Sequence, residues 1–241
     1  MDQHPTASRF KTTSWTLIVR ARGSADDLEQ LLGMYWSPCY AFLRRQGHSS
    51  HDAQDLTQGF LTEIVLERDL IKRADPERGK FRSFLVSALS KFVIDEYRKD
   101  RGRDGKRTRV MVPKDPLVLA LAEPNTAEDP AQAFERQWAA TVLDIAMCRL
   151  EESCNREGLG QHWIAFEARV KGPAVYGTEP ASIDSLLKAL DASGPEEISS
   201  MLHTVKRKFR SIYRDVVAET IVDPDQLDEE LQQLREFLSI G

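Results

Sequence analysis

The chain has 241 residues, of which 41% are hydrophobic and 29% are charged, and its formal net charge at pH 7 is −5. That composition is typical of a folded protein with room for one or two domains. It excludes a membrane span, because no apolar run approaches the roughly 20 residues that cross a bilayer. The first residues also lack the apolar segment of a secretion signal, so we expect a cytoplasmic protein.

The negative charge is unevenly distributed along the chain. Residues 98–109 and 206–214 are rich in Lys and Arg, whereas Asp and Glu are dense after residue 215. Such asymmetry is typical of segments that meet phosphate, although a basic run alone is more often a solvated surface. We also expect the acidic tail, residues 223–236, to shield the second basic segment in the free protein.

Helical periodicity dominates the first hundred residues. Ser24 precedes a pattern that ends at Gly47, and Ser49 or Ser50 caps the next one. A polar, basic turn containing Pro and Gly follows. A third pattern begins at Phe81 and continues to Arg98. The apolar positions of the three patterns are Leu28, Leu31, Leu32, Tyr35, Cys39, Phe42 and Leu43; Ala53, Leu56, Phe60 and Ile64; and Phe81, Phe84, Leu85, Ala88, Leu89 and Phe92.

The second half of the chain is also predicted to be helical. Residues 102–130 are rich in Pro, Asp and charge, which indicates an interdomain linker. Helical patterns then cover residues 131–152 and 161–170, and Gly172, Pro173 and Gly177 indicate a loop. A short helix follows Ser182, and a tight turn leads into a longer basic helix that starts at Pro195. Short helix, turn and longer helix is the layout of a helix-turn-helix.

The sequence contains no recognisable catalytic or metal-binding motif. Cys39, Cys148 and Cys154 lack the spacing of a zinc ribbon or a disulfide framework. His48 and His51 precede a helix without a third ligand nearby. Phosphate-binding loops, nucleophile elbows and zinc-protease motifs are not found in it. We therefore predict no catalytic residue, no metal site and no cofactor, and a protein that is not an enzyme.

Two segments resemble a known family. DAQDLTQGFLTEI and DPERGKFRSFLVSALSKFVIDEYRK are similar to two helices of bacterial RNA polymerase sigma factors, in the extracytoplasmic-function class and its larger relatives. The similarity starts near Thr12 and continues to Arg101, and LHTVKRKFRSIYRDVVAETIVDPDQLDEELQQL resembles the closing run of one subgroup. It implies an all-helical protein with one domain at residues 14–101, a linker at 102–130, and a helix-turn-helix domain with an acidic C-terminal helix at 131–241.

The resemblance also implies two partners and a set of contact residues. In the family the first domain grips core RNA polymerase and captures the minus-ten element of promoter DNA, and the second domain reads the minus-thirty-five element. An anti-sigma regulator is a further candidate partner. The implied polymerase contacts are Asp52, Asp55, Leu56, Gln58 and Thr62; the implied DNA contacts are Lys72, Arg73, Arg78, Lys80, Arg82, Arg98, Lys99, Ser199, His203, Lys206, Arg207 and Arg210.

The second half departs from the family pattern at Glu196 and Glu197, where two acids near the groove-facing end of a helix would repel phosphate. Three alternatives to a sigma factor therefore stay open. One is a stand-alone helix-turn-helix regulator, one is a sigma-like adaptor that recognises no promoter, and one is a helical protein-interaction module.

Overall fold

The computed structural model describes residues 18, 20–62, 71, 80–99, 128–221 and 223–239. Every regular element within these ranges is helical, which confirms the predicted all-helical fold class. The predicted linker falls outside this description up to residue 127. In chain order the helices are α1 (Ala25–Arg45), α2 (Ser50–Phe60), α3 (Phe81–Lys99), α4 (Pro130–Arg156), α5 (Gly160–Phe166), α6 (Gly172–Tyr176), α7 (Ile183–Leu190), α8 (Pro195–Ala218) and α9 (Leu227–Ser239), with a π-helical turn at Glu167–Lys171 and a 3-10 turn at Pro224–Gln226.

Helices α1 and α2 begin at the serines that the sequence indicates. The hydroxyl of Ser24 accepts the backbone N–H of Asp27 at 3.3 Å, and that of Ser49 accepts the N–H of Asp52 at 3.1 Å. Each bond satisfies one of the N–H groups that a helix start leaves without an internal partner. Gly47 lies between the two helices with a φ of +95°, a backbone conformation that glycine adopts at little cost.

A close helix contact joins α2 to α3. Phe60 of α2 lies with its ring centroid 5.7 Å from that of Phe92. A Cβ atom added to Gly59 would lie 3.3 Å from the Cζ atom of Phe92. The missing side chain at Gly59 is therefore what lets the two helices approach at this point.

Three aromatic rings join α1, α3 and α4. Tyr35 of α1 stacks on Trp138 of α4 with ring centroids 4.8 Å apart and planes 7° apart. Phe81, at the start of α3, meets the same tyrosine edge-on at 5.3 Å. Such pairs add to the free energy of burial, so the first turns of α4 pack with the N-terminal helices.

The described residues divide into two compact units. Residues 142–216 form the inserted unit, and residues 18–141 together with 217–239 form the discontinuous unit. The predicted domain limits differ from this division, because residues 131–141 and 217–239 pack with the N-terminal half. The periodicity of α4 and α8 is continuous across the limits between units, so sequence alone does not reveal them.

The inserted unit has two apolar clusters. One lies between α4, α5 and α8, and the other holds α7 against α5 and the start of α8. The prediction of a loop at Gly172 and Pro173 is wrong, because both residues belong to α6. Proline is tolerated there because it lies in the first turn of the helix. The clusters consist of Met147, Leu150, Cys154, Trp163, Phe166 and Val205, and of Ala165, Leu186, Leu190, Ile198 and Met201.

Candidate functional site

The polar face of α2 is the predicted polymerase surface. The side chains of Asp52 and Asp55 are 65% and 47% exposed. His51 lies beside both, with its Nδ1 atom 3.6 Å from the Asp55 carboxylate. Gln58 is half-buried on the same helix, and Thr62, also half-buried, lies two residues after its end. This face therefore offers a partner two carboxylates and an amide.

Leu56, unlike these groups, is buried, with 9% of its surface exposed. It is buried together with Ala53, Thr57 and Phe60. The structure thus places Leu56 in the core, where its side chain helps to hold α2 in position, and its contact with polymerase stays a prediction. The apolar stripe and the exposed polar face together define α2 as an amphipathic helix.

The C-terminal half of α3 presents a second exposed surface. Arg98 is exposed, and Ile94 and Tyr97 are exposed hydrophobic side chains, the tyrosine at 61%. The Tyr97 ring stacks on His48 with centroids 5.9 Å apart. Burial lowers the pKa of His48, so this ring is neutral at physiological pH. Sequence reasoning identified Arg98 but not the aromatic pair, since His48 is distant in the chain.

The structure describes only some of the basic residues predicted to contact DNA before and in α3. Lys72, Arg73 and Arg78 lie outside the described residues, as does the side chain of Lys99. Lys80 is half-buried and donates to the carboxylate of Glu230 at 2.6 Å. The predicted DNA contact at Lys80 is therefore engaged within the protein in this structure.

Arg82 is a buried residue and not an exposed loop cation. Its side chain is 4% exposed and holds Glu230 through two N–O contacts of 2.7 and 3.1 Å. It also meets Glu135 at 2.8 Å. In this conformation the Arg82 guanidinium is not available to a DNA phosphate, because both carboxylates already occupy its donors.

The α7–α8 pair consists of a short helix, a turn and a longer helix, in the order that the sequence predicts. α7 ends at Leu190, and Asp191 has a φ of +51° that turns the chain toward α8. Ile198 and Met201 of α8 pack with Leu186 and Leu190 of α7. The apolar side of α8 is thereby fixed, and its opposite side is left at the surface.

The exposed side of α8 brings together all the DNA contacts predicted for it. Ser199, His203, Lys206 and Arg210 recur every three or four residues and Arg207 adjoins Lys206, which places all five along one side of the helix. Lys208, by contrast, lies off this row and donates to Glu157 at 2.7 Å. The exposed row consists of Ser199, His203, Lys206, Arg207 and Arg210, and Arg214 extends it.

The two acids at the start of α8 have different roles. Glu197 accepts hydrogen bonds from the backbone N–H and the hydroxyl of Ser193, both at 2.7 Å. These bonds hold the pKa of Glu197 below its usual value. Glu197 is thus committed to the turn, and Glu196 is the acid that stays exposed there. Of the two acids, Glu196 is therefore the one expected to repel a DNA phosphate.

Comparisons with protein-family models, with curated proteins and with solved structures find no match. Within the part of the chain that the structure describes, no helix has the length and apolar character to cross a membrane. Across those same residues no group of three or more His, Cys, Asp or Glu is placed to hold a metal ion.

Proposed function

We propose that this protein is a sigma factor of the extracytoplasmic-function type, which binds core RNA polymerase and directs it to promoters. The observation that carries the proposal is the row on α8, where five predicted DNA contacts share one exposed face, and His203, Arg207 and Arg210 among them are at positions that match the family. A helix of this kind, supported by a short helix packed behind it, suits the major groove of DNA.

The row on α8 supports DNA binding through its charge. Lys206, Arg207 and Arg210 supply cations for backbone phosphates, while Ser199 and His203 supply side chains that hydrogen-bond base edges or phosphates. Contacts of this type make affinity fall steeply with salt, because each neutralised phosphate releases counterions.

The exposed face of α2 supports polymerase binding. Asp52, Asp55 and Gln58 provide polar anchors on a helix whose other side is held by the core. Together with the resemblance of this segment to sigma factors, that arrangement suits docking on a large basic or amide-rich partner surface.

The proposed mechanism is binding and not catalysis. Docking on polymerase raises the effective concentration of DNA at the second surface, so neither contact must be tight by itself. Such a protein acts where the chromosome is, in the cytoplasm, and its exposed surfaces would also be the targets of an anti-sigma regulator.

Retention on immobilised bacterial core RNA polymerase tests the docking surface. We expect the wild-type chain to be retained at low salt and the variant with Asp55→Ala and Gln58→Ala to bind at least tenfold more weakly. Asp184→Ala removes an exposed acid in the first turn of α7 and serves as the control. A wild-type chain that core polymerase ignores, or a double variant that binds like the control, would overturn the proposal.

Promoter selection from a random DNA library by the assembled holoenzyme tests the DNA surface. The variant with Arg207→Ala and Arg210→Ala is expected to select no sequence at the minus-thirty-five position. Lys188→Ala, at an exposed position of α7, is the matched control. The second candidate function is an adaptor that binds polymerase without reading a promoter, and exposed Glu196 favours it. Core binding without any selected sequence would establish that second function.

A further inference from the structure

A buried ion cluster ties α9 to the start of α3. The Glu230 carboxylate is 1% exposed, and its two oxygens meet Lys80 at 2.6 Å and Arg82 at 2.7 Å. The Nη2 atom of Arg82 also donates a hydrogen bond to Oε2 of Glu230 at 3.1 Å, and guanidinium N–H groups are donors that also bind phosphate. Glu230 therefore occupies the donors that an incoming phosphate would need.

Helix α9 contributes more than one group to this contact. Gln233, one turn after Glu230, accepts a hydrogen bond from Lys80 at 2.9 Å. Leu231 and Leu234 of the same helix are buried. Polar acceptors and apolar side chains thus share the packed side of a short helix that also carries Asp228, Glu229 and Glu236.

We propose that α9 regulates the DNA-contacting surface of the discontinuous unit, by occupying Lys80 and Arg82 until it moves away. The proposal rests on the function proposed above, since Lys80 and Arg82 belong to the DNA contacts implied there. It assigns the acidic C-terminal segment a defined target, namely the two cations at the start of α3.

Release of α9 is physically feasible because the helix depends on these tertiary contacts and not on its own length for stability. A helix of 13 residues is marginal in water unless tertiary contacts support it. A polyanion that binds the released state better than the closed state shifts the population toward release. Single-stranded DNA presents many phosphates at once, so it competes with one carboxylate for the same donors.

Binding of a labelled single-stranded oligonucleotide to the full chain, without polymerase, tests the proposal. Glu230→Gln removes the competing charge, while Glu236→Gln makes the same change on an exposed side chain of α9 and is the control. We expect Glu230→Gln to bind at least tenfold more tightly than the control. The slope of log affinity against log salt should steepen by about 0.7 for each phosphate gained. Equal affinity and equal slope would overturn the proposal, and Lys80 and Arg82 would then be structural residues.

Two further measurements separate regulation from damage to the fold. Adding Lys80→Ala to Glu230→Gln should cancel most of the gain, whereas a gain that persists would come from another surface and would refute the proposal. In the wild-type chain, hydrogen exchange of the α9 amides should accelerate at least tenfold when the oligonucleotide binds. Unchanged exchange with bound DNA would refute release directly. None of these assays contains polymerase, so failure of the proposed docking on core enzyme is a distinguishable result.

Discussion

The replacement Arg82→Met measures the contribution of the buried ion cluster to stability. Arg82 and Glu230 are almost completely buried, and loss of the arginine would leave the Glu230 carboxylate with Lys80 alone. Removing one partner of a buried ion pair typically costs about 3–5 kcal/mol. Because Lys80 stays in contact, we expect a loss near the lower limit, about 3 kcal/mol in the free energy of unfolding.

Urea unfolding followed by tryptophan fluorescence is the appropriate assay. Guanidinium is itself a salt and would screen the charges under study. A Trp163→Phe background removes the tryptophan of the inserted unit, so that Trp36 and Trp138, both buried in the discontinuous unit, report its unfolding. Arg20→Met, which breaks the exposed pair with Asp27, is the control and should cost below about 1 kcal/mol.

A double variant tests whether the cost comes from the pair itself. Arg82→Met combined with Glu230→Leu removes the most deeply buried carboxylate together with the guanidinium, and leaves only Glu135, which is 23% exposed, without its arginine partner. We therefore expect the double variant to be at least about 1 kcal/mol more stable than the sum of the single losses predicts. Additive losses, or an Arg82→Met cost no larger than that of Arg20→Met, would refute the reasoning from burial.

Three further outcomes follow from the contacts described. Gly33→Ala should stabilise the chain by about 0.5–1 kcal/mol, because the added Cβ has no atom within 4 Å. Gly59→Ala should add less stability, because its Cβ would lie 3.3 Å from Phe92. The urea midpoints of the two variants test this difference. Ser49→Ala should cost about 1 kcal/mol through the lost cap of α2, measured in the same way. Burial alone would raise the pKa of Glu230, but the hydrogen bonds and charges of Arg82 and Lys80 hold that pKa below the ordinary 4.5. Thermal stability should therefore fall as the pH drops below 4.5, because the folded protein loses these contacts when Glu230 is protonated.

Each of these outcomes has a result that contradicts it. Equal gains from Gly33→Ala and Gly59→Ala would mean that the α2–α3 contact yields without cost. Ser87→Ala, on an exposed position of α3, is the control for the lost cap and should be neutral. The loss of stability in acid should shrink in the Arg82→Met variant, since the lowered pKa of Glu230 depends on that guanidinium.

Local signals in the sequence were sufficient for the helices other than α6. Ser24, Ser49 and Ser182 each precede an apolar repeat, and each caps a helix in the structure. The repeats that start at Phe81 and Ile183 likewise coincide with α3 and α7. These features depend on neighbours within four residues, which is why a single sequence predicts them.

Contacts between distant residues were not predictable in this way. Arg82 stands in the sequence beside a basic turn, which favours an exposed cation, yet its partner Glu230 lies 148 residues further along. Tyr35 and Trp138 are comparably remote from one another, and neither residue carries a local sign of the stack. For the same reason the domain limits drawn from linker composition differ from the two compact units.

The candidate site was predictable in part. On α8 the 3.6-residue repeat places Ser199 to Arg210 on one face without any tertiary information. The cap formed by Glu197 was missed because Ser193 and Glu197 are four residues apart, whereas the capping-box signal requires three. Tyr97 and His48 were missed because their stack depends on how the loop before α2 packs against the end of α3.

The discontinuous unit also has a consequence for synthesis on the ribosome. Arg82 and Glu135 are translated long before Glu230, so a nascent chain that ends before α9 holds the buried guanidinium with one carboxylate missing. Contacts of such sequence separation form late and slowly. The inserted unit, residues 142–216, has all its own partners by then. We therefore expect it to fold co-translationally, before the earlier-made half of the chain reaches its final packing.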